Sequence, residues 1–236
     1  MKAVILTGGL GTRLAPYTTV LPKPLMPIGN IPILQIILKQ LKHFGFSDVI
    51  LACGFLAELI QAYFMKNGIS RELNIGYHLE DKPLGTAGAL EGVKNLTEPF
   101  LVMNGDVLTT MDYSKLVEYH KSRGAALTIA VTQKQVKIDL GVLFLDENNQ
   151  VTGYDEKPVK QYPASMGIYV YEPRVLKYIQ PNAYLDVPTL VLRLIEAGEK
   201  VAGYVSEAFW LDIGNAEDYE RAVNEFEQNR SRFHVD

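Results

Sequence analysis

The chain has one cysteine, Cys53, in 236 residues, so no intramolecular disulfide can form. It has no basic excess either. Its 23 Lys and Arg stand against 27 Asp and Glu, a formal net charge of -4. That balance argues against a general nucleic-acid binder and leaves room for a local basic pocket. No apolar run approaches the roughly 20 residues needed to span a bilayer. Met1-Lys2-Ala3 enters an apolar run without a signal-peptide pattern, so a cytoplasmic protein with no membrane association is expected. There is no Ser/Gly tract, charge block, low-complexity stretch or internal repeat. With 47% hydrophobic residues, a single domain over residues 1–236 with one substantial core is expected. His43, His78, His120 and His234 show no metal-ligand spacing, and the tyrosines are not interleaved with basic residues as in a stacking module for nucleic acid.

Two familiar nucleotide motifs are also missing. A P-loop closes on Gly-Lys-Ser/Thr, and no such triplet follows Gly11. A dinucleotide fingerprint needs a third small residue three after Gly11, where Leu14 stands. What the chain does have is an apolar run, Ala3-Val4-Ile5-Leu6, leading into Thr7-Gly8-Gly9-Leu10-Gly11-Thr12-Arg13-Leu14. Glycines let backbone N–H groups approach an anion, and Arg13 and Lys23 add fixed positive charge. Pro16, Pro22, Pro24, Pro27 and Pro32 keep the following stretch extended and non-helical. The pattern is a proline-stiffened cradle for a nucleoside triphosphate.

Strand-like runs at Ala3–Leu6, Asp48–Ala52, Asn74–His78 and Phe100–Met103 alternate with helical patterns. Ile33, Leu34, Ile37, Leu38 and Leu41 mark one helical face, and Leu56–Met65 and Ala87–Val93 read as further helices. This alternation predicts an α/β fold with a mostly parallel sheet covered on both faces. Ligands in such sheets bind at the carboxyl ends of the strands, where the glycine loop and Asn104-Gly105-Asp106 both fall. Later strands are expected at Ala125–Val131, Leu140–Leu145, Val151–Asp155 and Gly167–Tyr171, with a turn at Asn148-Asn149. Two more helices are expected, Val187–Ala197 capped by Asp186 and one from Ala216 capped by Asn215.

Gly8-Gly9-x-Gly11-Thr12-Arg13-Leu14-x-Pro16, followed by Pro22-Lys23-Pro24-Leu25-x-Pro27-Ile28, resembles the signature of the sugar-1-phosphate nucleotidylyltransferases, or NDP-sugar pyrophosphorylases. The resemblance continues in blocks to Trp210-Leu211-Asp212-Ile213-Gly214. It implies a Rossmann-like core with β structure inserted over a sugar site. It also implies a reaction between a nucleoside triphosphate and a sugar 1-phosphate, with Mg²⁺ as cofactor. Leu6, Gly8, Gly9, Gly11, Thr12, Arg13, Glu80, Gly85 and Thr86 would bind the nucleotide, and Arg13 and Lys23 would be catalytic. Asp106 and Asp212 would hold the metal. Asn104, Gly141, Glu156, Lys157 and Gly167 would serve the sugar phosphate, Lys157 on the phosphate and Glu156 on a sugar hydroxyl.

Pro83-Leu84-Gly85-Thr86-Ala87-Gly88-Ala89-Leu90 looks most like the mannose-1-phosphate guanylyltransferase branch. Glu80 fits that branch, because an ionised carboxylate only accepts and guanine offers two adjacent donors. Uracil or thymine would suit the glutamine common there in other branches. Ser165 and Leu140 stand where many relatives carry Asn and Tyr, and both changes bear on which sugar is taken. The same reaction with dTTP or UTP and glucose 1-phosphate is one alternative, and a non-catalytic nucleotide-sugar sensor is another. Arg13, Lys23, Asp106, Lys157 and Asp212 all stand, which favours an enzyme. No hexapeptide repeat suggests an appended β-helix. A homodimer is compatible with the sequence.

Overall fold

The computed structural model describes residues 1–235. Strand β1 (Lys2–Leu6) is followed by the proline-rich stretch, the small hairpin of β2 (Pro27–Ile28) and β3 (Ile31–Pro32), and helix α1 (Ile33–His43). Then come β4 (Asp48–Cys53), α2 (Ala57–Met65), β5 (Asn74–Leu79), a one-turn α3 (Gly85–Gly88), β6 (Phe100–Asn104), β7 (Val107–Thr109) and α4 (Tyr113–Arg123). The second half contains β8 (Leu127–Lys137), β9 (Val142–Leu145), β10 (Val151–Asp155), β11 (Val159–Tyr171), α5 (Val187–Glu196), β12 (Val201–Val205), β13 (Trp210–Asp212) and α6 (Ala216–Gln228).

Seven strands form the central sheet in the order β12-β8-β11-β6-β1-β4-β5. β1 lies parallel to both β4 and β6, β4 to β5, and β8 to β12; β11 alone runs against its neighbours. The chain leaves β1 toward β4 on one side and returns to its other side as β6. The strand order therefore reverses between β1 and β6, and their carboxyl ends open a crevice.

Side chains of successive strand residues point to opposite faces. Ala3 and Ile5 accordingly join one apolar core and Val4 the other, all fully buried. The first core is completed by apolar residues of α1, α2, α4 and α6, the second by those of α3 and α5. The expected α/β sheet with helices on both faces is what the chain forms. On α1 the predicted stripe is fully buried. Asp186 and Asn215 cap α5 and α6, accepting from the N–H groups of Thr189 and Asp218 at 2.9 Å each. Such caps contribute about 1 kcal/mol each.

Three expectations are corrected. The proline-rich stretch is not extended throughout. It folds into 3-10 turns at Thr12–Leu14, Tyr17–Thr19 and Lys23–Leu25, since the fixed φ of proline suits such a turn as well as an extended chain. The helix expected over Ala87–Val93 is the shorter α3. The amides of Ala87 and Gly88 donate to Leu185 O at 3.0 and 2.9 Å, and Gly92 has φ 76°. β8 and β11 run well past their predicted ends as an antiparallel ribbon, from Ser165↔Val131 out to Val159↔Lys137. Gln133-Lys134-Gln135 has no apolar alternation to announce a strand. This ribbon carries the separate two-stranded sheet of β9 and β10, and together they are the β structure inserted into the fold.

Candidate functional site

A cleft of about 520 Å³ opens at the carboxyl ends of β1 and β6. Leu6, Gly8, Gly9, Gly11, Thr12, Arg13, Lys23, Glu80, Gly85, Thr86, Asn104 and Asp106 all line it. Every residue assigned to the nucleotide is thus brought to one place. The loop after β1 is held from below. Gly11 has φ 63°, and Thr18 Oγ1 donates to its carbonyl at 2.7 Å. Buried Leu14 anchors the turn that carries exposed Arg13. A Cβ on Gly8 would stand 3.0 Å from Glu80 Oε1, whereas one on Gly9 would meet nothing within 4 Å. Gly8 is therefore packed against the carboxylate, and Gly9 presents bare backbone.

Gly85 lines the cleft and is also packed against a distant segment. Its φ is 82°, and a Cβ there would lie 2.6 Å from Leu185 O. The glycine is demanded by a close-packed backbone segment as well as by the cleft. Thr86 lines the cleft, yet its Oγ1 accepts from Val187 N at 3.0 Å at the start of α5.

Charge is concentrated at the foot of the loop. β7 pairs with β13, with Asp212 opposite Val107, and Ile213 N donates to Asp106 O at 3.1 Å. This pairing brings two sequence-distant aspartates together. Lys23 lies between them: its ammonium bonds Asp106 Oδ2 and stands 3.8 Å from Asp212 Oδ1, with 11% of its side chain exposed. The Oδ1 atoms of Asp106 and Asp212 are buried without a hydrogen-bond partner. Burial first, and then the neighbouring Asp106 carboxylate, raises the pKa of Asp212, with Lys23 and Arg13 opposing. Burial also raises Glu80, opposed by the Leu84 N–H it accepts at 3.3 Å. Around the cleft, two cations (Arg13, Lys23) thus face three carboxylates (Glu80, Asp106, Asp212). Among the described residues no group of three or more His, Cys, Asp or Glu is placed to hold a metal. An ion held by Asp106 and Asp212 needs further oxygens from a ligand or water.

The residues expected at the sugar phosphate divide. Gly167, φ 69°, lies against the cleft residue Asn104, with 2.7 Å from its Cβ position to Asn104 Nδ2. Gly141, Glu156 and Lys157 do not reach the cleft wall. They ride on the ribbon beside β9 and β10. There Tyr154 OH donates to Glu156 at 2.9 Å, and a Cβ on Gly141 would lie 2.0 Å from that phenol oxygen. Gly141 makes room for Tyr154. Lys157 is exposed with φ 47°, in the turn between β10 and β11.

Sequence reasoning missed Tyr184, which lines the cleft and is 69% exposed. It precedes the cap of α5 in a stretch without periodicity, so only its position in space marks it. Gly105 and Gly214, also in the wall, sat unassigned inside motifs already recognised.

A family model described as nucleotidyl transferase matches residues 2–229. A mannose-1-phosphate guanyltransferase of Schizosaccharomyces pombe is 33% identical over 227 residues, covering 93% of this chain and 62% of that protein. A UTP–glucose-1-phosphate uridylyltransferase of Synechocystis is 32% identical over 244 residues, covering 94% and 62%. The chain therefore spans less than two thirds of the length of these relatives. Among solved structures, HddC from Yersinia pseudotuberculosis complexed with GMP-PN superposes with a TM-score of 0.73 at 26% identity, covering 95% of this chain and 99% of that one. The chain belongs to the nucleotidyl transferase family.

Proposed function

We propose that this chain joins a nucleoside triphosphate, GTP by preference, to mannose 1-phosphate or a related sugar 1-phosphate, giving an NDP-sugar and pyrophosphate with the help of Mg²⁺. The observation that carries the reading is the charge arrangement in the cleft. Bare loop amides and Arg13 offer an anion site, but at its foot the two carboxylates of Asp106 and Asp212 outnumber the one ammonium of Lys23 between them. A triphosphate entering alone would be repelled. Mg²⁺ takes a few carboxylates and completes its shell with phosphate oxygens and water, and the two unpartnered Oδ1 atoms of Asp106 and Asp212 fit that donor set. When bound, the ion supplies charge neutralisation on the phosphates.

The chain's own residues do the remaining work. The amides of the Gly8–Gly11 loop take phosphate oxygens. Arg13 stabilises charge on the transferred phosphoryl group, and Lys23 can turn its ammonium from the aspartates to a phosphate. An oxygen of the sugar phosphate attacks the α-phosphorus, and the bond from that phosphorus to pyrophosphate breaks. The nucleophile is already an anion, so no general base is needed. Catalysis is positioning plus electrostatic stabilisation. Asn104 and Gly167 stand nearest for the sugar. For Glu156 and Lys157 to serve it, the ribbon must bend toward the cleft, whose wall they do not reach.

Glu80 supports the guanine preference. Leu84 N–H orients its carboxylate in the cleft wall, and an ionised carboxylate can accept both donors on the edge of guanine. The guanylyl-transferring relative and the guanine-nucleotide complex of the structural neighbour agree with this. The uridylyltransferase relative, 32% identical, supports the second reading with UTP and glucose 1-phosphate. The experiment is pyrophosphate release, with and without Mg²⁺, over GTP, UTP and dTTP against mannose and glucose 1-phosphates. A GTP–mannose maximum is expected, and Glu80→Gln should lower the GTP-over-UTP ratio by about tenfold, the scale of one lost charged hydrogen bond. An unchanged ratio rejects the Glu80 assignment. A blank grid from protein that still binds nucleotide points to a sensor.

A further inference from the structure

We infer that Tyr184 is the base-stacking wall of the cleft and sets much of its affinity for a purine nucleotide, an inference that rests on the nucleotide-binding reading above. Tyr184 is the one aromatic side chain lining the cleft among the described residues, where it stands with Glu80, Pro83, Gly85 and Thr86. Tyr184 is 69% exposed, and its side chain makes no ring pairing or hydrogen bond among the described residues. An aromatic ring left bare in a concave wall has unspent apolar surface facing the space a ligand fills.

The backbone around it is fixed. Leu185 N donates to Leu84 O at 2.8 Å, and Leu185 O accepts from Ala87 and Gly88 at 3.0 and 2.9 Å. Asp186, one residue further, caps α5. The free ring is therefore mounted on a rigid support, so little order is lost on binding. Its Cε2 lies 3.1 Å from the Cβ position of Gly85, so it stands over a stretch of backbone that has no side chain. Glu80 lies at the start of the same loop. One base can thus give its edge donors to the Glu80 carboxylate and its face to the Tyr184 ring. Stacking accepts any base, but a purine offers the larger face.

The test is equilibrium binding of GTP, UTP and inorganic tripolyphosphate, with Mg²⁺, to the wild type and to Tyr184→Ala, Tyr184→Leu and Tyr184→Phe. Tyr184→Ala should raise the Kd for GTP by about five- to hundredfold, the range of one lost base–aromatic stack. It should raise that for UTP less and leave tripolyphosphate unchanged. Tyr184→Phe should restore tight binding and Tyr184→Leu should not. Wild-type affinity in Tyr184→Ala overturns the inference. So does equal rescue by Leu and Phe, which would mean simple apolar cover. An equal loss for tripolyphosphate overturns it too, as damage to the loop. If the wild type prefers UTP, the guanine assignment falls, but the stack is still read on UTP. A wild type that binds no nucleotide defeats both readings.

Discussion

Replacing Lys23 by Met keeps most of the side chain's apolar stem and removes one charge from between two carboxylates. The ammonium bonds Asp106 and stands 3.8 Å from Asp212. At an effective dielectric of about 20, a unit pair near 4 Å is worth about 4 kcal/mol before desolvation. Removing one partner from a fully buried pair costs about 3–5 kcal/mol. Here the aspartate side chains are 21% and 41% exposed, so water shares the charge, and a loss of about 1–3 kcal/mol is expected. In a chain of this size each kcal/mol lowers the melting temperature by about 2–4 °C. The loss should depend on pH with a definite sign. Burial and Asp106 already hold the pKa of Asp212 above its ordinary 3.8, and deleting Lys23 removes an opposing cation. A carboxyl raised in the folded state keeps its proton while the unfolded chain has released it. Stability therefore falls as pH rises through the folded-state value. The deficit against wild type should therefore be larger at about pH 7 than near about pH 4. Thermal unfolding at both pH values, with and without Mg²⁺, measures it. Mg²⁺ should stabilise Lys23→Met more than the wild type, because no ammonium then competes for the carboxylates. A wild-type melting temperature at neutral pH, with no extra response to Mg²⁺, would refute the reasoning.

Arg13→Ala and Asp106→Asn should each reduce turnover by about a hundredfold or more, the usual scale for a lost charge-stabilising group, and near-normal pyrophosphate release in either variant removes its assigned role. Gly85→Ala should destabilise the fold by about 2 kcal/mol or more, because φ 82° strains any L side chain and the new Cβ would meet Leu185 O at 2.6 Å. Urea midpoints check this, and an unshifted midpoint means the Leu185 segment yields freely.

The parts of the fold that were legible rest on local patterns. The Ile33–Leu41 stripe gave α1 because 3.6-residue periodicity and burial on one face are the same fact. Asp186 and Asn215 marked helix starts because a short polar side chain satisfies free N–H groups within three residues. The parts that were not legible depend on distant partners. α3 is seated on Leu185 O, nearly a hundred residues along the chain, which takes the amides of Ala87 and Gly88, and beyond Gly88 the chain passes into i→i−3 turns that end at Gly92, with φ 76°. The ribbon was cut short because Gln133–Lys137 and Val159–Pro163 are held by backbone pairing with exposed side chains, so neither stretch carries an apolar alternation.

The same distinction explains why the structure gathers every residue expected at the nucleotide and only some of those expected at the sugar phosphate. The loop from Gly8 to Arg13 follows directly from the end of β1, in the middle of the sheet, so its place is fixed as soon as the parallel sheet is recognised. Asp106 inherits its place from β6 in the same way. Asp212 does not. It reaches Asp106 through the pairing of two three-residue strands, β7 and β13, whose partners nothing local specifies. Glu156 and Lys157 are further removed still, in the turn beside a ribbon that continues β8 and β11 out of the core sheet with no buried apolar face of its own. A residue's chemistry can be read from its neighbours in sequence, but its address requires an element that the core holds. In this chain Arg13 and Asp106 have addresses that follow from β1 and β6, whereas Lys23 lies in a 3-10 turn of a stretch that the sequence pattern made extended.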